Sequence, residues 1–372
     1  MEKKLIGFDL FCGCGGVTQG FLKSGIDMRL GVDFEDSYKT TYQTNNKVPF
    51  LKSDIQKLKA EEILFYLGDI SSHHLIVSSC APCQPFSLKN SKRSRDSSID
   101  PRIDLGFELI RVLNEFESLG IFCSGVFIEN VPEFSKSPVW QSIRADLFSK
   151  GFSVANKVIN CADYGVPQAR RRFIALAVRD WCFLSMPKAT HGDGLLPYKT
   201  VRDAFHSLPP IAAGEECEFT PNHKSRALSP INYQRITSVP FNGGSRSSFP
   251  EELVLDCHKK CDGHKDVYGR LSLDSPSPTI TTRCVSITNG RYGHPLEHRA
   301  ITVREAARLQ SFPDDFIFYG NNIETNARMV GNAVPVEIAE IFGRFLSDKI
   351  LDLPVLNLSP NNESCQPNNI AA

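Results

Sequence analysis

The sequence has no apolar run approaching the about 18 uninterrupted residues that a membrane-spanning helix needs, so no transmembrane segment is expected. A secretory leader is not expected either: Lys3 and Lys4 precede a short apolar run, but Asp9 and the glycines beyond it break that run. Internal repeats are absent, which argues against a solenoid. There is no disulfide framework. The 12 cysteines are scattered, and Cys123, Cys161 and Cys182 stand inside apolar runs, a pattern suited to a reducing cytosol. Net charge is zero, with 42 basic residues against 42 acidic ones, and that alone argues against a nucleic-acid partner. Acid is also missing locally, which points the other way. Residues 221–250 carry Lys224, Arg226, Arg235 and Arg246 and no Asp or Glu; residues 88–95 carry Lys89, Lys92, Arg93 and Arg95 and none. Such runs are usually solvated surface, but two of them in loop-like sequence also suit a phosphate-binding cleft.

What is present fits a globular chain of 372 residues with 41% apolar content, enough for two domains or one large domain with an insertion. Lys4 to Phe11 reads as a buried strand, followed by the turn Cys12-Gly13-Cys14-Gly15-Gly16 and a helix over Val17 to Lys23. Strand, glycine turn and helix open a nucleotide-binding α/β fold, the glycines letting backbone approach a ligand. A dinucleotide fingerprint needs a third glycine at position 18, where the chain has Thr18, so a pyrophosphate is disfavoured. A second strand, Met28 to Val32, ends in Asp33, an acid placed either for ribose hydroxyls or as a helix cap. Asp54 sits near the end of a third strand. Asp104 to Ser118 reads as an amphipathic helix, Gly125 to Ile128 as a buried strand with Glu129 at its end, and Phe152 to Asn160 and Arg172 to Val178 as further strands.

Between these lies an unusual stretch. His74 to Ser79 reads as a buried parallel strand, and Ala81-Pro82-Cys83-Gln84-Pro85-Phe86-Ser87 follows it. Prolines on both sides of Cys83 exclude helix and make a rigid loop at the crevice where open α/β sheets bind ligands. A lone cysteine is more often buried structure; the loop shifts the balance toward a presented thiol.

At about Met186 prolines, glycines and serines rise and periodicity fades through Ser277, the mark of a second, smaller, loop-rich domain. Cys257, His258, Cys261 and His264 cluster there, but the spacing is irregular and no second pair accompanies them, so no metal site is expected. Thr302 to Gln310 reads as a short capped helix and Pro335 to Ile350 as a final amphipathic one. The tail from about Pro354, rich in Asn and Pro, reads as disordered.

Five stretches in order carry a resemblance: Phe8 to Gly16, the Pro82-Cys83-Gln84 loop, Phe127 to Val131, Gln168 to Arg172, and Gly331 to Pro335. Together, from about Leu5 to Leu346, they closely resemble the DNA (cytosine-5)-methyltransferase family. The resemblance implies a doubly wound, mostly parallel α/β sheet of Rossmann-like type with a loop-rich target-recognition domain. It divides the chain into a catalytic part (1–185), a recognition part (186–300), returning C-terminal motifs (301–350) and a tail. It implies S-adenosylmethionine as methyl donor, leaving as S-adenosylhomocysteine, and no metal. Phe11, Gly13, Gly15, Gly16, Asp33, Asp54, Ile55 and Asn332 would form the cofactor pocket. Cys83 would be the nucleophile, Glu129 the acid on the cytosine ring, and Arg172 a group near the base's carbonyl. Gln84, Ser87 and Arg170 would contact DNA, joined from the basic run by Arg235 and Arg246. Arg304 and Glu305 fall on the motif that ties the recognition domain to the core. Double-stranded DNA is the implied partner, and the enzyme is expected to be a cytoplasmic monomer at the nucleoid. It would be solitary or paired with a restriction endonuclease that shares its site without forming a complex.

The chemistry accounts for these residue types. A thiolate adding to cytosine C6 makes C5 nucleophilic enough to take a methyl, and cysteine both attacks and leaves well. Glu129, protonated, would donate to N3 as charge develops, and the base must leave the duplex stack first. Three other classes compete. The tRNA-methylating branch has a Cys-Phe-Thr element not found here. A non-catalytic relative is disfavoured by intact Cys83 and Glu129. A nicotinamide oxidoreductase is disfavoured by Thr18 and the proline-flanked cysteine.

Overall fold

The computed structural model describes residues 4–82, 101–259, 263 and 265–355. The first half alternates strands and helices: β1 (Lys4–Leu10), α1 (Gly16–Lys23), β2 (Asp27–Asp33), α2 (Lys39–Asn46), β3 (Phe50–Lys52), α3 (Ala60–Leu67), β4 (His73–Ser79), α4 (Glu108–Ser118), β5 (Cys123–Asn130), α5 (Pro138–Ser149), β6 (Phe152–Asn160), β7 (Gln168–Ala169) and β8 (Arg171–Arg179). The second half is sparser: α6 (Val201–Phe205), α7 (Pro230–Thr237), α8 (Asp256–Lys259), β9 (Ser277–Pro278), α9 (Val303–Leu309), α10 (Ile323–Asn332) and α11 (Val336–Ile350).

The strands build a seven-stranded sheet in the order β3-β2-β1-β4-β5-β8-β6. Pairings from β3 to β5 are parallel, and only β8 runs against its neighbours β5 and β6. The expected doubly wound, mostly parallel sheet is therefore what the chain forms. Its order reverses between β1 and β4, and Leu10 pairs with both Val32 and Ser79, so β1, β2 and β4 finish along one edge. That edge, at the switch point, is where such sheets bind ligands.

Both faces of the sheet are buried, as its near-continuous apolar strands require. On one face α3, α4 and α5 pack Leu109, Leu113, Phe116, Trp140 and Ile143 against Phe8, Val77 and Val126. On the other, Phe21 of α1, Phe127 of β5 and Phe342 of α11 stack edge to face. Gly20 lets α1 and α11 approach closely, since a β-carbon there would overlap Ala339. The last helix thus completes the layer over the first.

Three elements differ from the sequence reading. The expected helix from Asp104 starts as a 3₁₀ stretch, Pro101–Phe107, and becomes α-helical at Glu108; Gly106, a poor helix former, packs on Val139 there. Glu129 lies inside β5 because pairing to β8 runs on to Asn130. Helix α10, with few apolar residues, starts on an Asn322 cap whose side chain accepts from Thr325 N at 2.8 Å.

Residues 186–300 hold little regular structure and a small cluster of their own, Ile236, Tyr268, Ile287 and Ala300. Buried arginines replace ladders there. Arg270 donates to the carbonyls of Val239, Ile236 and His294 at 3.0, 2.7 and 2.8 Å, which satisfies loops that no strand pairs. Arg304 donates to the carbonyls of Pro221 and Phe316 at 3.0 and 2.8 Å, and Arg299 pairs with Glu305 at 2.7 Å in full burial. Among the described residues, no helix is long and apolar enough to cross a membrane.

Candidate active site

A cavity of about 550 Å³ opens at the switch point. Its wall comes from the turn between β1 and α1 with the first residue of α1 (Phe11, Gly13, Gly16), the end of β2 and the residue after it (Asp33, Phe34), the segment after β3 (Asp54, Ile55), the segment after β4 (Cys80, Ala81, Pro82), Glu129, Arg172 and the end of α10 with the residues that follow it (Gly331 to Val334). The glycines are needed one by one. Gly15 has φ 96° and a β-carbon there would overlap the Asn46 amide; one at Gly16 would strike the Val334 carbonyl. Phe11 itself, in the cavity wall, sits at φ 61°, a left-handed conformation that is strained for a phenylalanine.

Asp33 is fixed by two backbone donors, Gly13 N and Glu35 N, each at 2.9 Å. Burial raises its pKa, and these donors work against that rise. Deeper, Asp9 is wholly buried and accepts from Ser78 Oγ at 2.6 Å and Thr18 Oγ1 at 2.9 Å. Burial pushes it up to about 7, against those hydroxyls. Thr18, which spoils the dinucleotide fingerprint, is thus a partner for a buried carboxyl. Across the cavity Arg172 Nε meets Glu129 Oε1 at 2.8 Å. Asn130 Nδ2 donates to the Ala81 carbonyl at 3.2 Å and so ties β5 to the segment that leads into residue 83. Burial holds the Cys80 thiol well above its ordinary pKa, which suits a structural group better than a nucleophile.

The cofactor residues named from sequence meet around this cavity: Phe11, Gly13, Gly16, Asp33, Asp54, Ile55 and Asn332 line it, with Gly15 in the turn beneath. Glu129 and Arg172 face the same space. Cys83, Gln84 and Ser87 lie outside the described residues, as do Cys261 and His264. Among the described residues, no group of three or more His, Cys, Asp or Glu could hold a metal ion. Arg170, expected at the DNA, is only 2% exposed; it lines the cavity and donates to the carbonyls of Ile280 (2.8 Å), Gly331 (3.2 Å) and Ala333 (3.3 Å), so its guanidinium ties two backbone segments together. Arg235 donates to Leu253 O at 3.1 Å and Arg246 to Gly263 O at 2.7 Å, so both guanidinium groups hold loops in this structure. Sequence reasoning passed over Phe34, Tyr38 and Met329 in the wall; Phe34, 73% exposed beside Asp33, was the legible one.

A cavity of this size, lined by an aromatic ring, open glycine backbone and a backbone-fixed carboxylate, fits a nucleoside-bearing ligand. Comparison with known proteins agrees. Residues 6–347 match the model of the C-5 cytosine-specific DNA methylase family. The Type II methylase M.HgiDII of Herpetosiphon aurantiacus is 36% identical over 90% of this chain and 93% of its own length. The Type II methyltransferase M1.HphI of Haemophilus parahaemolyticus is 32% identical over 89% and 84%. A crystal structure of an E. coli prophage-encoded protein, described as a DNA modification methyltransferase, superposes with a TM-score of 0.70 at 22% identity, covering 94% of this chain and all of that one. With a match spanning nearly its whole length and its motifs gathered at one cavity, the chain belongs to the C-5 cytosine-specific DNA methylase family.

Proposed function

We propose that the protein methylates C5 of cytosine within one specific double-stranded DNA sequence, with S-adenosylmethionine as donor and Cys83 as covalent nucleophile. One observation carries this reading. A single cavity holds the glycine turn and Asp33 on one side and the Glu129–Arg172 pair on the other, with Pro82, the residue before Cys83, in its wall. S-adenosylmethionine, when bound, supplies an electrophilic methyl on a positively charged sulfur. Asp33 would hold its ribose, Asp54 with Ile55 its adenine, and Phe11 with the open backbone at Gly13 and Gly16 its remaining bulk.

The rest is done by side chains of this chain. The Cys83 thiolate adds to C6 of the flipped base, and the electron pair displaced from the ring makes C5 a nucleophile. Glu129 would engage the N3 edge of the ring and steady the charge that develops, while Arg172, paired with that carboxyl, orients it. After transfer, loss of the C5 proton and departure of the thiolate restore the ring. Extruding the base costs a few kcal/mol of stacking. Residues 186–280 would select the sequence, phosphate contacts positioning the duplex and side chains reading base edges. The relatives named as Type II methylases favour a restriction–modification setting, with an endonuclease acting on the same site.

DNA carrying 5-fluorocytosine tests the covalent step, because fluorine at C5 leaves no proton to remove and the thiolate cannot depart. With S-adenosylmethionine present, the wild-type protein should form a DNA adduct that survives denaturing electrophoresis. Cys83→Ser, folded and still binding cofactor, should form none. An equal yield of adduct from the serine variant would remove Cys83 from the mechanism.

A further inference from the structure

A buried polar network joins the cavity wall to the recognition region. Gln168 Oε1 accepts from Ile280 N at 2.8 Å, and its amide donates to Leu309 O and Gln310 Oε1 at 3.0 and 2.9 Å. Gln310 in turn donates to Val330 O at 2.7 Å and Ala333 O at 3.1 Å. Arg170 closes the circuit through Ile280, Gly331 and Ala333. Gly331, Ala333 and Val334 are cavity wall. Ile280 opens the segment that returns from the recognition region. That segment presses on the wall directly, since any β-carbon at Gly331 would overlap the Thr281 and Thr282 backbone. Tyr292 holds it from the other side, with its hydroxyl 3.0 Å from Thr279 O and from Thr281 Oγ1. Immediately beyond the clamp, Thr282 and Arg283 are exposed, and Arg283 has no carboxylate within ion-pair distance among the described residues.

We infer that Arg170 is a positioning residue that makes the wall at 331–334 and the return segment at 279–283 one mechanical unit, so that filling the cavity orders the segment that presents Thr282 and Arg283 to the duplex. The inference rests on the proposed function for the identity of the two ligands. Its physical basis is geometric. A guanidinium has five donors in a rigid fork and reaches three carbonyls on two chain segments, whereas a lysine ammonium on the same stem is a point charge without that spread. A wall that a ligand braces then shifts the order of the segment bolted to it. By linkage the effect runs both ways, with duplex on the segment favouring ligand in the cavity.

The test uses the full-length protein, S-adenosylhomocysteine as cavity probe and unmethylated plasmid DNA as duplex probe. Hydrogen exchange of a peptide covering 279–283 should slow when S-adenosylhomocysteine is added to wild type, and apparent DNA affinity should rise by about 5-fold or more. In Arg170→Lys, S-adenosylhomocysteine should still bind by calorimetry, but the exchange of 279–283 and the DNA affinity should no longer respond. Gly331→Ala disturbs the same contact from the wall side, with the Arg170 side chain itself unchanged, so it should also lose the response and serves if Arg170→Lys does not fold. Ligand binding with no change at 279–283 in wild type, or an intact response in a folded variant, overturns the inference. Failure of wild type to bind S-adenosylhomocysteine at all overturns the proposed function, and this inference with it.

Discussion

Asp33 and Asp9 sit one turn apart in role, though both are acids at the end of a central strand. Asp33 faces the cavity and is held by the Gly13 and Glu35 amides, so its lone pairs are aimed before any ligand arrives. Asp33→Ala should weaken S-adenosylmethionine binding by roughly 10- to 100-fold, the loss of a charge-assisted hydrogen bond of about 1.5–3 kcal/mol, and leave DNA affinity nearly unchanged. Calorimetry with unchanged cofactor affinity would end that assignment. Asp9 lies deeper at the same cavity, wholly buried, and makes a different prediction. Its carboxyl is raised from the ordinary 3.8 to about 7, so the folded chain binds its proton more tightly than the unfolded one. That contribution to stability is complete below about 4 and is lost as pH rises through about 7, at most roughly 1.4 kcal/mol for each pKa unit between the two states. Thermal melts from pH 4 to 8 should therefore show Asp9→Asn with a flatter profile than wild type over that window. Parallel profiles would mean that Asp9 is ionised throughout.

At the scale of elements, α9 shows how residues 186–300 are fastened to the rest of the chain. Thr302 and Glu305 form a capping box, with Thr302 N donating to Glu305 Oε2 at 2.7 Å, and the same carboxylate takes both Arg299 nitrogens at 2.7 and 2.8 Å. Burial alone would raise Glu305, but Arg299 overcomes it and holds the acid at about 2. Glu305→Gln leaves the Arg299 charge buried and half paired, so it should cost about 3 to 5 kcal/mol in denaturant unfolding. A loss under about 1 kcal/mol would show the pair to be replaceable. Much of this was legible beforehand: the Thr302 cap with Glu305 three residues on marks a helix start in any sequence, and Phe152–Asn160 has the bounds expected of it. Other parts were hidden for physical reasons. Arg170 looks like surface charge in a run of three arginines, and only the fold shows that β7 turns it inward onto three carbonyls. Arg270 and Arg304 are likewise core residues in this chain, and no periodicity rule places an arginine in a core. Glu129 was legible as an acid at the cavity but not as a residue within a strand, because its pairing partner, β8, lies 45 residues further on (Glu129 to Ile174).

On the proposed function, chemistry and recognition would be carried by different stretches of the whole molecule that meet at the cavity wall. Grafting residues 186–280 from a relative of different target should move methylation to that target with cofactor affinity nearly unchanged, since Asp33, Asp54 and the glycine turn lie outside the graft. The junction at Ile280 has to keep its bonds to Gln168 and Arg170. An active chimera that still modifies the original site would place specificity elsewhere. The central claim is that this cavity and Cys83 make 5-methylcytosine in duplex DNA, and bisulfite sequencing of host DNA after expression reads it directly. The account predicts protected cytosines at one recurring sequence with the wild-type protein and none with Cys83→Ser. Complete conversion with a folded, cofactor-binding wild type, or the same protected sites with the serine variant, would contradict it.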